Sequence, residues 1–174
     1  MENITIRKAT FEDAAEIANV HINSWREAYQ GLLSQDYLND RPLFFKDRYE
    51  LWKKVTLNKA QVTLVAECSK HGVVGFVNGT HGRDEGLKDH AEVWCIYLLE
   101  KYHGKKIGFN LLKGFFDAHI KLGFKKGYLW VLGDNPTITF YEKAGGKFNG
   151  MTMQDDIGTQ KVTELCYVWD DITI

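Results

Sequence analysis

Ile4 and Ile6 alternate with polar neighbours up to Lys8, a period of two that predicts a first strand. Thr10, with Asp13 three residues on, marks a capping-type start for a helix. That helix carries Ala14, Ile17, Ala18, His21, Ile22 and Trp25 near helical spacing until Gly31 interrupts it. A second helical region is expected from about Ser34 to Asn58, broken near Pro42, with Tyr37, Leu38, Phe44, Phe45, Tyr49, Trp52 and Val55 as its apolar positions. The period then changes. Val62, Leu64 and Ala66 alternate, Lys70-His71-Gly72 supplies a turn, and Val73, Val74, Phe76 and Val77 return as the second arm of an antiparallel hairpin.

A loop rich in glycine and charge, Gly79 to Lys88, leads to Ala91–Leu99, short and almost continuously apolar, as expected of a strand covered on both faces. Ile107, Leu111, Leu112, Phe115, Phe116 and His119 recur at helical intervals up to Gly123, and Tyr128–Leu132 reads as another buried strand. A short helix is expected from Asn135 to Ala144, opened by Pro136 and closed by Gly145-Gly146. Two strands, near Gly146–Met153 and Val162–Asp170, form a closing hairpin. The order β, α, α, β, β, β, α, β, α, β, β predicts an α/β (α+β) fold: a single mixed, mostly antiparallel sheet with helices on both faces.

Composition narrows the function classes. The 174 residues carry 22 Lys+Arg against 23 Asp+Glu, a net charge of −1, which argues against duplex nucleic acid or any polyanion as the main partner. With 44% hydrophobic residues and only two prolines, Pro42 and Pro136, one domain spanning residues 1–174 is expected, without proline-rich linkers. No apolar run approaches the roughly 20 residues that span a bilayer, and Met1–Lys8 lacks the apolar core of a signal peptide, so a cytoplasmic protein with no membrane partner is expected. Cys68, Cys95 and Cys166 are an odd count at long separations, which favours buried reduced thiols over disulfides or a zinc knuckle. His81 and His90 form no metal-ligand spacing with a cysteine or carboxylate, and no metal is expected.

The candidate chemistry lies in Glu92–Leu112, a buried strand, a basic glycine-containing turn and an amphipathic helix. Unpaired N–H groups and the positive end of the dipole at such a helix start can bind a phosphate, with Gly104 and Gly108 allowing close approach and Lys105 and Lys106 adding charge. Neither a P-loop nor a dinucleotide fingerprint is met.

A second segment supplies the context: Asn135, Phe140, Tyr141 and Gly145 stand as N-x-x-x-x-x-F-Y-x-x-x-G. With the element order, these two stretches make nearly the whole chain resemble the GCN5-related N-acetyltransferase superfamily, and imply its acyl-CoA N-acyltransferase fold. The family's acetyl-CoA turn, Q/R-x-x-G-x-G/A, aligns with His103-Gly104-Lys105-Lys106-Ile107-Gly108. His103 replaces Gln or Arg, and Lys106 replaces the first glycine.

The resemblance implies roles. The strand before the turn would splay from its neighbour, so that backbone groups of Ile96, Tyr97 and Leu98 pair with the pantetheine arm of acetyl-CoA. The turn from His103 through Ile107 to Gly108, with Phe109 just inside the helix, would hold the pyrophosphate. Asn135 and Phe140 would contact the cofactor, and Tyr141 would sit by the thioester sulfur and protonate the leaving thiolate. An alkylammonium has a pKa near 10 and needs a base near pH 7. Glu92, eleven residues before His103, stands where family members keep a glutamate base. A backbone N–H near Ile96 would then support the developing oxyanion.

Structural alternatives stand beside these roles: Glu92 as a strand-end glutamate paired with a surface lysine, and Tyr141 as a packed aromatic. The run from Ser24 to Leu33 resembles a segment of some small bacterial members whose acceptor site lies near the first helices, which makes Trp25 and Tyr29 acceptor-side candidates, or simply core cover. Asp84, Glu85 and Asp89 would attract a cationic amine, or form a solvated loop. The function implied is acetyl transfer from acetyl-CoA to a primary amine, on a small molecule such as a polyamine or on a protein, by direct attack. Another acyl-CoA is an alternative donor. A non-catalytic CoA-binding regulatory module is the rival reading, prompted by His103 and Lys106. A homodimer would also fit the family.

Overall fold

A computed structural model describes residues 2–31, 33, 45–157 and 160–174. Seven strands form one sheet in the order β1-β2-β3-β4-β5-β7-β6. They are β1 (Ile4–Lys8), β2 (Val62–Cys68), β3 (Gly72–His81), β4 (His90–Leu98), β5 (Lys126–Leu132), β6 (Lys147–Ile157) and β7 (Gln160–Trp169). All neighbours are antiparallel except β4 and β5. One parallel pair inside an antiparallel sheet requires a crossover, and the helix Ile107–Lys121 supplies it.

The helices are α1 (Ala14–Tyr29), α2 (Phe45–Leu57), α3 (Ile107–Lys121) and α4 (Ile138–Lys143). A 3-10 turn, Phe11–Asp13, leads into α1, where the Asp13 carboxylate accepts from the Thr10 backbone N–H at 2.7 Å and from the Thr10 hydroxyl at 3.2 Å. The expected start thus survives, with Asp13 also held by Arg7 at 2.7 Å. The second helical region begins at Phe45, and its first part, residues 34–44, lies outside the described residues. The expected helix from Asn135 begins instead at Ile138, because Asn135 and Pro136 are spent in the turn before it. The closing strands run longer than expected, to Ile157 and from Gln160.

Two cores sandwich the sheet. Leu111, Leu112, Phe115 and Phe116 of α3 bury against Ala66, Val74, Val77, Ala91, Val93 and Trp169. On the other face Ile17, Ala18 and Val20 of α1 and Trp52 of α2 bury against Val65, Val73 and Phe76. Val73 and Val74 serve opposite cores, as do Phe76 and Val77, with a bulge shifting the β2–β3 register between Ala66 and Glu67. A second bulge, at Trp94, steps the β3–β4 register from Gly79↔Val93 to Asn78↔Cys95. There the backbones come so close that a Cβ on Gly79 would stand 2.0 Å from the Glu92 carbonyl oxygen, and only glycine fits.

No helix among the described residues is long and apolar enough to cross a membrane. Cys68, Cys95 and Cys166 are free thiols. Burial pushes the Cys95 thiol up to about 12 and that of Cys166 up to about 11, which makes both poor nucleophiles at neutral pH.

Candidate active site

The parallel strands part. β4 pairs with β5 through His90, Ala91 and Glu92, opposite Lys126, Gly127 and Tyr128. Past Glu92, β4 continues its register with β3 as far as Leu98, while β5 continues with β7 as far as Leu132. The facing edges of Val93–Leu98 and Leu129–Leu132 therefore open as a wedge whose closed end is at Glu92 and Tyr128. Unpaired strand edges are templates for an extended ligand. Ile96, Tyr97 and Leu98 lie on one such edge, half-buried.

At the mouth of the wedge β4 enters a 3-10 turn, Glu100–Tyr102, and then His103–Lys106 before α3. Gly104 has φ +74, and Lys106 has φ +60 with ψ +8. Lys106 is the only non-glycine with positive φ among the described residues. A lysine thus adopts the left-handed conformation that the family's glycine would take freely, at a cost of roughly 1 kcal/mol. The N–H groups of Ile107, Gly108 and Phe109 follow in the first turn of α3, where the helix itself offers them no acceptor. His103 Nε2 donates to the Leu98 carbonyl at 2.9 Å, which fixes the tautomer and ties the turn to the strand it follows. Lys101 and Lys105 each hold their ammonium 5.1 Å from the centre of the Tyr102 ring, so Lys105 is partly occupied beside the turn. His103, Lys105 and Lys106 are exposed, whereas Ile107 is buried and anchors the helix start.

Gly108 and Phe140 join the two motifs, since a Cβ on Gly108 would meet the Phe140 ring at 3.6 Å. Asn135 is buried, and its side-chain oxygen accepts from the Thr137 N–H at 2.9 Å and hydroxyl at 2.7 Å, closing the turn that leads into α4. The opposite, donor end of that carboxamide is not used by the turn. Tyr141 is buried, edge-on to Phe140 at 5.2 Å and to Trp169 at 6.4 Å. Trp169 donates to the Ala144 carbonyl at 2.9 Å and so clamps α4 to β7. Burial pushes the Tyr141 phenol well above its ordinary value and keeps it protonated at neutral pH.

Glu92 is buried, its side chain 4% exposed, but its partner is not a lysine. Arg83 forks onto it, Nη2 to Oε1 at 2.7 Å and Nε to Oε2 at 2.9 Å. The surface-lysine pairing expected as its structural alternative is thereby corrected. Arg83 also stacks over Trp94 at 4.4 Å. The Tyr128 hydroxyl accepts the backbone N–H of Arg83 at 3.2 Å and of Asp84 at 3.4 Å. Asp84 accepts from the Trp130 indole at 2.8 Å, and Asp89 pairs with His90 at 2.7 Å. Two of the three acidic loop residues are thus committed to protein partners.

The Trp25 and Tyr29 rings meet at 4.3 Å, tilted by 50°, and the Tyr29 and Tyr97 phenols are neighbours. Burial raises the phenols of both Tyr29 and Tyr97, and Tyr141 lies near enough to influence them electrostatically. The three tyrosines, from α1, β4 and α4, converge on the wedge. Glu164 of β7 faces the same region, its carboxyl raised by burial. The Trp25 and Trp94 indole nitrogens are buried with no hydrogen-bond partner among the described residues. Arg83, Trp94, Tyr128 and Glu164 were not singled out by sequence reasoning. Only the β3–β4 hairpin pairing, which brings residues nine apart together, could have pointed to Arg83. Among the described residues no group of three or more His, Cys, Asp or Glu could hold a metal ion.

Residues 21–146 match the model of the acetyltransferase (GNAT) family. The chain is 34% identical, over 80% of its length and 78% of the relative's, to YuaI, an uncharacterized N-acetyltransferase of Bacillus subtilis strain 168. It is 25% identical to a spermidine N(1)-acetyltransferase of Thermoplasma acidophilum, covering 95% of this chain and 98% of that one. It also superposes on the PaiA N-acetyltransferase of Thermoplasma acidophilum, solved with coenzyme A, with a TM-score of 0.71 and 25% identity over 93% of this chain and 98% of that one. Solved neighbours carry CoA or acetyl-CoA. The chain belongs to the GNAT family and is an acetyl-CoA-dependent acetyltransferase.

Proposed function

We propose that the protein acetylates a primary amine by direct attack, with Glu92 as the base and Tyr141 as the proton donor to the departing sulfur. The observation that carries this reading is the wedge between β4 and β5, with a buried carboxylate at its closed end and a buried, protonated phenol on the helix after β5. Bound along the wedge, acetyl-CoA supplies the activated acetyl thioester. The residues present fit it: an open β4 edge at Ile96–Leu98, the N–H cradle at Ile107–Phe109, and the donor end of Asn135.

Glu92 receives the proton from the incoming ammonium, leaving a neutral amine nucleophile. A backbone N–H near Ile96 donates to the carbonyl oxygen as it becomes negative. Tyr141 gives its proton to the leaving sulfur. Its raised pKa makes it a weak acid but keeps the proton in place until sulfur is basic enough to take it. Trp25 and Tyr29 line the acceptor side, and half-buried Glu164 adds an acidic wall there. A polyamine or similar cationic amine suits these surroundings, a reading that the spermidine-acetylating relative supports. The reaction is placed in the cytoplasm, where the three free thiols stay reduced.

Titration with CoA and acetyl-CoA, followed by a thiol-release screen over polyamines, amino acids, aminoglycosides and peptides, tests the proposal. Thiol release with a primary amine is expected. Tight donor binding with release for no amine would overturn it.

A further inference from the structure

We propose that Arg83 is a built-in occupant of the acceptor's cation site, and that the acceptor ammonium binds by displacing its guanidinium from Glu92. This rests on the reading that Glu92 faces the acceptor. The ion pair is lopsided: the Glu92 side chain is 4% exposed while that of Arg83 is 61% exposed. A carboxylate buried this deeply is strongly destabilised without a counter-charge, so some cation must cover it when no acceptor is bound. With both oxygens forked by a guanidinium, its basicity is lowered and an approaching ammonium meets a like charge. Glu92 therefore acts as the base once Arg83 has moved.

The surroundings allow that movement. The loop backbone is pinned at three points: Tyr128 accepts the Arg83 and Asp84 N–H groups, the Trp130 indole holds Asp84, and the Gly82 N–H bonds the His90 carbonyl at 2.7 Å. The side chain can swing out by its own torsions without refolding the loop. The ring face it leaves, Trp94, also receives an alkylammonium. The exchange replaces cation by cation, so the carboxylate is never left bare. A neutral alcohol cannot make it, which excludes hydroxyl acceptors in favour of amines. The guanidinium itself keeps its protons at all relevant pH values and is no nucleophile, so the occupant is not acetylated.

The test uses n-butylamine and spermidine, both cationic at pH 7, with sodium chloride at matched ionic strength as control, and nitrogen-15-labelled full chain. The Arg83 Nε–H and Trp94 indole signals report the exchange. Saturable shifts of both are expected with the amines and not with the salt. Arg83→Gln removes the internal competitor and should tighten n-butylamine binding, read at Trp94, by about tenfold or more if the pair is closed nine-tenths of the time. Arg83→Lys should fall between. A clamp role alone would leave amine affinity unchanged or weakened, and either result overturns the proposal. So does an Arg83 signal in the native chain that neither amine moves beyond the salt control, a measurement that needs no variant to fold. The base reading fails separately: Glu92→Gln with native turnover at pH 7 removes that reading, whereas an undisplaced Arg83 beside a crippled Glu92→Gln removes only the displacement.

Discussion

The Phe140 ring stands 3.6 Å from where a Cβ would sit on Gly108, so the start of the crossover helix and the helix after β5 meet at a glycine. That contact is ordinary in distance, and Gly108→Ala should leave both fold and CoA affinity close to native. Gly108→Val places a branched side chain between the ring and the N–H cradle. It should weaken CoA binding by about 1.4 kcal/mol or more, tenfold, with an unchanged circular dichroism spectrum. Calorimetric titration of both variants checks this, and an unchanged Kd in folded Gly108→Val would remove the turn from the binding site.

Lys106 combines a strained backbone with a charge, and two substitutions separate these. Lys106→Gly relieves the left-handed strain, so thermal stability should stay within about 1 kcal/mol of native while the acetyl-CoA KM rises and loses part of its salt dependence. Lys106→Val keeps the strain and adds β-branching, and should destabilise the fold by roughly 1–2 kcal/mol. Lys105, drawn over the Tyr102 ring, should matter less to the salt dependence than Lys106.

Glu92 and Tyr141 should differ in how their loss responds to pH. Removing the base with Glu92→Gln should lower kcat most near neutrality, and less as pH approaches the amine's own pKa, where free amine forms unaided. Tyr141 stays protonated throughout that range because burial holds its phenol high, so the deficit of Tyr141→Phe, on the order of 100-fold, should be flat with pH and confined to kcat. Single-turnover measurements establish that chemistry limits both rates.

His21 makes the fold sensitive to acid. Trp52 donates to its Nδ1 at 3.1 Å, Tyr97 stacks on it at 5.1 Å, and burial followed by the nearby Arg48 charge pushes its pKa down to about 3. The unfolded chain binds that proton near pH 6.5, so the stability tied to a neutral His21 is intact above pH 6.5 and is lost as pH falls towards about 3. The loss is on the order of 3 kcal/mol by pH 4. Denaturant unfolding from pH 7 to pH 4 should show this slope in the native chain and a shallower one in His21→Gln, whose amide still accepts from Trp52.

The order of elements, the two motif segments, the capped entry to α1 and the apolar stripe of α3 were legible along the chain, because each is a local pattern of period, cap or turn. Tertiary structure decided what lies across strands. Val73-Val74 and Phe76-Val77 read as one apolar run whose neighbours face opposite cores, and only the bulge opposite Ala66/Glu67 puts Val73 on the side of Phe76 and Val74 on the side of Val77. Lys106 looks foreign to its turn, yet it stands left-handed directly before buried Ile107. The helix expected from Asn135 starts three residues later because the Asn135 side chain closes a turn onto Thr137 ahead of it. Glu92 could be singled out by its offset from His103, but not its partner. Whether a buried carboxylate faces lysine, arginine or substrate depends on which loop the hairpin folds over it, a through-space relationship that no spacing along the chain encodes.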